Sequence, residues 1–131
     1  MRLNFSAHAD TQQRVAAARR FLRTAGLQRE TSMPQQVIFV DIDDTMVRSV
    51  GVKRIPMPAV IAQVRRLKAE GATLYLWSSG GAEYCRTTAL ELGITECFDG
   101  FLPKPTVYID DQPLHEWRFC KHVYPSQAEI V

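Results

Sequence analysis

The stretch Val37-Ile38-Phe39-Val40-Asp41-Ile42-Asp43-Asp44-Thr45 constrains this chain more than any other. Its first four residues are apolar, rich in β-branching and without polar alternation, which predicts a short strand buried on both faces. The strand then runs into three carboxylates and a hydroxyl. Like charges at the end of a buried strand cost stability unless a cation, a hydrogen-bond network or a ligand compensates them. Such a conflict between burial and charge marks the place to look for function.

The rest of the chain supplies partners for that strand. Asp10 and Gln13 have capping-box-like spacing, and Val15, Ala18, Phe21 and Leu22 continue it as a helix that Gly26 ends. The arginines of this helix, Arg14, Arg19, Arg20 and Arg23, read as a solvated face. Residues 28–36 form a linker. Met46 to Pro58 reads as a short hairpin or loop turning at Gly51, and Ala59 to Glu70 as an amphipathic helix stopped by Gly71. A second strand, Thr73 to Trp77, leads through Ser78-Ser79-Gly80-Gly81 into a helix from Ala82 to Leu92, with Ala82, Cys85, Ala89 and Leu92 facing inward. Further strands are expected within Cys97 to Leu102, at Thr106 to Ile109 and at His122 to Tyr124, with a helical turn between Pro113 and Phe119.

Alternating strands and helices predict βα units, hence an α/β fold with a mainly parallel sheet. The chain is expected to divide into an N-terminal helix and linker over 1–36 and a core over 37–131. Ligands of such sheets bind beyond the carboxyl ends of the strands. Three strands end in polar residues there: Asp41 to Thr45, Ser78-Ser79, and Asp110-Asp111.

Composition narrows the class of partner. At 131 residues and 46% hydrophobic content the chain suits one domain with a real core. Its formal charge of +2 is unevenly spread, because residues 1–36 hold six Arg against Asp10 and Glu30, leaving ten basic and twelve acidic residues beyond them. The core is therefore no basic surface for nucleic acid. Cys85, Cys97 and Cys120 form neither a paired set nor a CxxC spacing, which argues against a disulfide framework or structural zinc and favours a reducing, cytoplasmic setting. No apolar run approaches a membrane span, and no membrane partner is expected.

Carboxylates gathered on one rim suit a hard cation, and Mg2+ takes one or two of them together with water and substrate phosphate. Ser78 and Ser79, with Gly80 and Gly81 opening a helix, offer hydroxyls and backbone N–H groups to an anion. Lys104 adds a positive charge. Together these describe phosphoryl transfer, in which Asp41 attacks phosphorus to form an aspartyl phosphate and Asp43 protonates the leaving oxygen and later activates water.

In these motifs the chain resembles phosphatases of the haloacid dehalogenase superfamily. The Asp-x-Asp-x-Thr motif after a hydrophobic strand is matched by Asp41, Asp43 and Thr45, the strand ending in Ser by Ser78, the upstream Lys by Lys104, and the acidic pair by Asp110-Asp111. The resemblance implies a Rossmann-like three-layer sandwich. It implies that Asp41 is nucleophile and Mg2+ ligand, that Asp43 is acid/base with its carbonyl on the metal, and that Asp110 is the main remaining ligand. Asp111 would act through water or orientation, Ser78 and Lys104 would bind the phosphoryl group, and Thr45 would brace the loop. The short Met46 to Pro58 stretch, and the lack of a long insertion between Ser78 and Lys104, resemble the members without a cap domain. An open site of that kind implies a macromolecular phosphorylated substrate or a homo-oligomer whose neighbouring subunit completes the pocket. Arg48, Lys53 and Arg54 are either contacts to an anionic substrate or solvated loop charges. A catalytically silent binding or regulatory protein is the alternative function.

Overall fold

In a computed structural model the described residues are 12–17 and 35–131. The chain separates into two compact units, Met1–Pro34 and Gln35–Val131. Residues 12–17 are helical, while the rest of the helix expected between Asp10 and Gly26 lies outside the described residues.

Within the second unit the strands are β1 (Val37–Val40), β2 (Val47–Val50), β3 (Lys53–Pro56), β4 (Thr73–Ser78) and β5 (Gly100–Pro103), with helices α1 (Pro58–Ala69) and α2 (Ala82–Glu91). The architecture is mixed α/β. β1, β4 and β5 form a three-stranded parallel sheet in the order β1-β4-β5, and β2 and β3 form a separate antiparallel hairpin. No cap domain interrupts these elements. Gly51 makes the hairpin turn at φ 60°, a left-handed conformation that costs glycine little. No helix of the described residues is long and apolar enough to cross a membrane.

The core sits on one face of the parallel sheet. β4 alternates strictly, with Leu74, Leu76 and Ser78 buried while Thr73, Tyr75 and Trp77 are partly exposed. Val60, Val64 and Leu67 of α1 and Cys85 and Ala89 of α2 pack into the same cluster as Leu74, Leu76 and Val40. Thr88, outside the expected inward stripe, is also fully buried on α2. Asp99 fastens the base of the sheet: its carboxylate accepts from Leu74 N at 2.9 Å and pairs with Lys68 Nζ at 3.2 Å. These bonds, the backbone one first, hold its pKa below the ordinary carboxylate value.

Three expectations fail here. β1 is not buried on both faces; it is a sheet edge among the described residues, and Val37 and Phe39 are 62% and 44% exposed. An unbroken apolar run cannot distinguish a central strand from an edge strand whose outer face carries rings. Phe39 spends its exposed face against Tyr75 and Trp77, with ring centroids 5.1 and 4.9 Å away.

The strand expected at Thr106 to Ile109 does not form. Lys104 N donates to Ser78 O at 2.9 Å, so the chain is held at the carboxyl end of the sheet only two residues before Thr106. A parallel strand would have to restart at the amino end, and that crossover takes about a dozen residues or more. His122 to Tyr124 likewise forms no strand; the His122 and Tyr124 rings meet edge-on at 4.4 Å.

Candidate active site at the strand ends

The loop leaving β1 is organised by Ile42. The Ile42 side chain is fully buried, and its carbonyl accepts from the N–H groups of Thr45, Met46 and Val47 at 3.1, 2.9 and 3.2 Å. Burying Ile42 turns its neighbours outward: Asp41 is partly exposed and Asp43 exposed. Asp44 closes the turn in the left-handed region, at φ 58°, and donates its N–H to Val47 O at 2.7 Å. Asp tolerates that conformation better than most residues, which gives Asp44 a backbone task and leaves its carboxylate aside.

Asp41 is gripped through both carboxylate oxygens. Thr45 Oγ1 donates to Oδ2 at 3.3 Å, and Lys104 Nζ lies 3.2 Å from Oδ1. Lys104 is in turn set by its backbone bond to Ser78 O and by the Trp77 ring, whose centroid is 5.7 Å from Nζ. The ends of all three parallel strands thus converge, but the third contributor is β5 through Lys104.

Ser78 is 2% exposed. Its Oγ accepts from Gly80 N at 3.0 Å and its carbonyl from Gly81 N at 3.1 Å, so it shapes the turn into α2 and keeps its O–H proton to donate elsewhere. Ser79 is exposed on the same turn. Gly80 has a packing reason to be glycine, since a Cβ there would stand 2.8 Å from the Tyr84 ring.

That ring belongs to a residue the sequence reading passed over. Tyr84 OH donates to Asp43 Oδ1 at 2.8 Å and accepts from Arg54 Nη2 at 3.0 Å. Burial and the bond to Asp43 push the phenol pKa up. The available signal was an aromatic residue one turn into a helix that opens on a glycine pair. Arg54 is not a free solvated charge here. It reaches from β3 to α2, donating to Thr88 Oγ1 at 3.1 Å and pairing with Glu91. Arg48 and Lys53 are exposed on the hairpin.

Asp110 and Asp111 are exposed. Asp110 Oδ1 accepts from Gln112 N at 2.9 Å in a local turn, and Asp110 lines a cleft of about 630 Å³ with Gln112, Trp117, Arg118, Phe119 and Cys120. Among the described residues no three His, Cys, Asp or Glu side chains gather as a metal site. The donor set at the strand ends is therefore Asp41 and Asp43. The Asp41 carboxylate and the Asp43 backbone carbonyl fit the modest protein ligation of Mg2+, which relies on water and substrate phosphate for the rest.

One family model matches the chain, over residues 22–106, and its description is "Protein of unknown function (DUF705)". The chain belongs to this family. The matched span holds Asp41, Asp43, Thr45, Arg54, Ser78, Tyr84 and Lys104 and ends before Asp110. Membership of the haloacid dehalogenase superfamily, expected from the spacing of the motifs, is overturned: the match is to the family of unknown function, with none to a haloacid dehalogenase family. Short motifs in order are a weaker warrant than a match along most of the core. No curated protein and no solved structure matches the chain.

Proposed function

We propose that this protein is a Mg2+-dependent phosphatase that hydrolyses a phosphomonoester through an aspartyl phosphate on Asp41. The observation that carries the reading is the grip on Asp41: a carboxylate at the carboxyl end of a parallel sheet, held by Thr45 on one oxygen and Lys104 on the other, with Asp43 two residues on. In the first step an Asp41 oxygen forms a bond to phosphorus while the bond to the ester oxygen breaks, and Asp43 delivers a proton to that oxygen. In the second, water attacks phosphorus, its proton passes to Asp43, and Asp41 leaves as carboxylate with inorganic phosphate. Lys104 turns from Asp41 to the phosphoryl oxygens as substrate arrives, and the Ser78 hydroxyl and the N–H groups of the Ser79 to Gly81 turn offer further donors. Mg2+ held by the Asp41 carboxylate and the Asp43 backbone carbonyl would neutralise charge on the transferred group.

The finer features belong to the same proposal. A Rossmann-like three-layer sandwich is supported by the rule that parallel sheets are covered on both faces, which leaves the Phe39, Tyr75 and Trp77 face to be covered. A cytoplasmic setting is supported by three free cysteines, two of them buried.

The test is turnover of a phosphomonoester panel of nucleotides, sugar phosphates and phosphopeptides with Mg2+. Activity should disappear in Asp41→Asn and fall about 10²- to 10⁴-fold in Asp43→Asn. Unchanged turnover in Asp41→Asn would sink the nucleophile assignment. No turnover across the panel, with Mg2+ still bound, would favour a silent binding protein.

A further inference from the structure

Arg54, Tyr84 and Asp43 come from three separate elements, β3, α2 and the loop after β1, and meet in one line of hydrogen bonds. The direction of every bond in that line is decided by chemistry. A guanidinium is always charged and can only donate. Arg54 Nη2 therefore occupies a lone pair of the Tyr84 oxygen, 3.0 Å away. The phenol has one proton, and its other close partner is Asp43 Oδ1 at 2.8 Å. That proton must point at Asp43.

The line is anchored at its far end. Arg54 also donates to the fully buried Thr88 and pairs with Glu91, both on α2, and its guanidinium carbon lies 5.3 Å from the Tyr84 ring centroid. At the near end, the Tyr84 ring packs so closely on Gly80 that no Cβ fits between them. Both the phenol and its donor are thus fixed by contacts that Asp43 does not share.

We infer that Tyr84 is a positioning residue for Asp43, oriented by Arg54, which occupies Oδ1 of the carboxylate and thereby assigns Oδ2 as the oxygen that carries the transferred proton. This rests on the hydrolase reading above and adds to it a residue and a choice of oxygen. It also explains why a basic residue of the hairpin has its guanidinium on Tyr84, Thr88 and Glu91 of α2. Arg54 is spent on holding the acid/base group, and the hairpin is tied to α2 as a result.

The experiment is a kinetic cycle on the full chain with para-nitrophenyl phosphate and Mg2+, using Tyr84→Phe, Arg54→Ala and the double variant. Displacing a reacting group by a fraction of an ångström to an ångström costs up to about 10²-fold, so Tyr84→Phe should lower kcat by about 10- to 100-fold with KM nearly unchanged. Arg54→Ala should lower kcat by less. The double variant should be no slower than Tyr84→Phe, because Arg54 acts through the phenol. A Tyr84→Phe enzyme with wild-type kcat, or single effects that multiply in the double variant, overturns the inference. The 13Cγ resonance of Asp43 tests the contact without turnover: it should move in Tyr84→Phe, and an unmoved resonance overturns the inference. Wild-type protein that turns over no phosphomonoester overturns the hydrolase reading instead, so the two failures are told apart.

Discussion

Two stretches of this molecule carry nearly the same sequence pattern and meet different fates. Val37-Ile38-Phe39-Val40-Asp41 and Thr106-Val107-Tyr108-Ile109-Asp110 are each a β-prone run leading into an acidic cluster. The first pairs with β4 and delivers Asp41 to Thr45 and Lys104. The second forms no strand, Ile109 is 99% exposed, and among the described residues the hydrogen bond of Asp110 stays within its own turn. Side-chain preference is alike in both, so it does not decide. What differs is access to a partner edge: β1 is joined to β4 through a complete crossover helix, whereas a backbone bond at Lys104 holds the second run at the wrong end of the sheet.

The difference can be tested most strongly at two isoleucines. Ile42 has no exposed surface and Ile109 almost nothing but exposed surface. Ile42→Ala should cost about 2–5 kcal/mol in denaturant unfolding, from lost transfer energy plus a cavity. Ile109→Ala should fall within about 0.5 kcal/mol of wild type. Equal losses would mean that the second run is packed in solution and would break the contrast.

The cysteines sharpen it further. Burial raises the pKa of the Cys85 and Cys97 thiols, and both lie in the core behind the site, while Cys120 is exposed in the second region. Alkylation of the native protein, followed by mass spectrometry, should label Cys120 within minutes and leave the other two unlabelled until denaturant is added. Labelling of Cys85 at a comparable rate would show that the core opens as readily as the second region.

The smallest effect concerns two aspartates. Asp99 ties β4 to α1, and its folded pKa lies below its unfolded value. Its contribution is therefore present above the unfolded pKa and is lost as pH falls through the lower folded value. Asp99→Asn should flatten the acid side of the stability curve and lower Tm modestly at neutral pH. Asp110→Asn, which keeps an acceptor for its one local bond, should leave that side of the curve as in wild type.

Several features were legible without coordinates because they depend on local chemistry. Gly71 and Gly93 stop their helices at positive φ, as short-range backbone sterics require. The hairpin after Thr45 and the two amphipathic helices follow from turn residues and periodicity. The pattern around Asp41 also announced itself, because charge against buried apolar surface is visible in the residues alone. Family membership was not legible in the same way: spaced motifs suggested one superfamily, and the match over 22–106 is to another family.

Only the tertiary structure decided which acids meet which bases. Asp41 finds Lys104 across 63 positions of sequence, and Asp43 finds Tyr84 across 41. No propensity encodes such distances, since they follow from strand order and from where each connection lets the chain go. The opening stretch thus specified by itself a strand, a tight turn and a conflict of charge. How that conflict is resolved, with Asp41 between Thr45 and Lys104 and Asp43 on an Arg54-oriented phenol, was set by the packing of α2 and the hairpin around the strand ends.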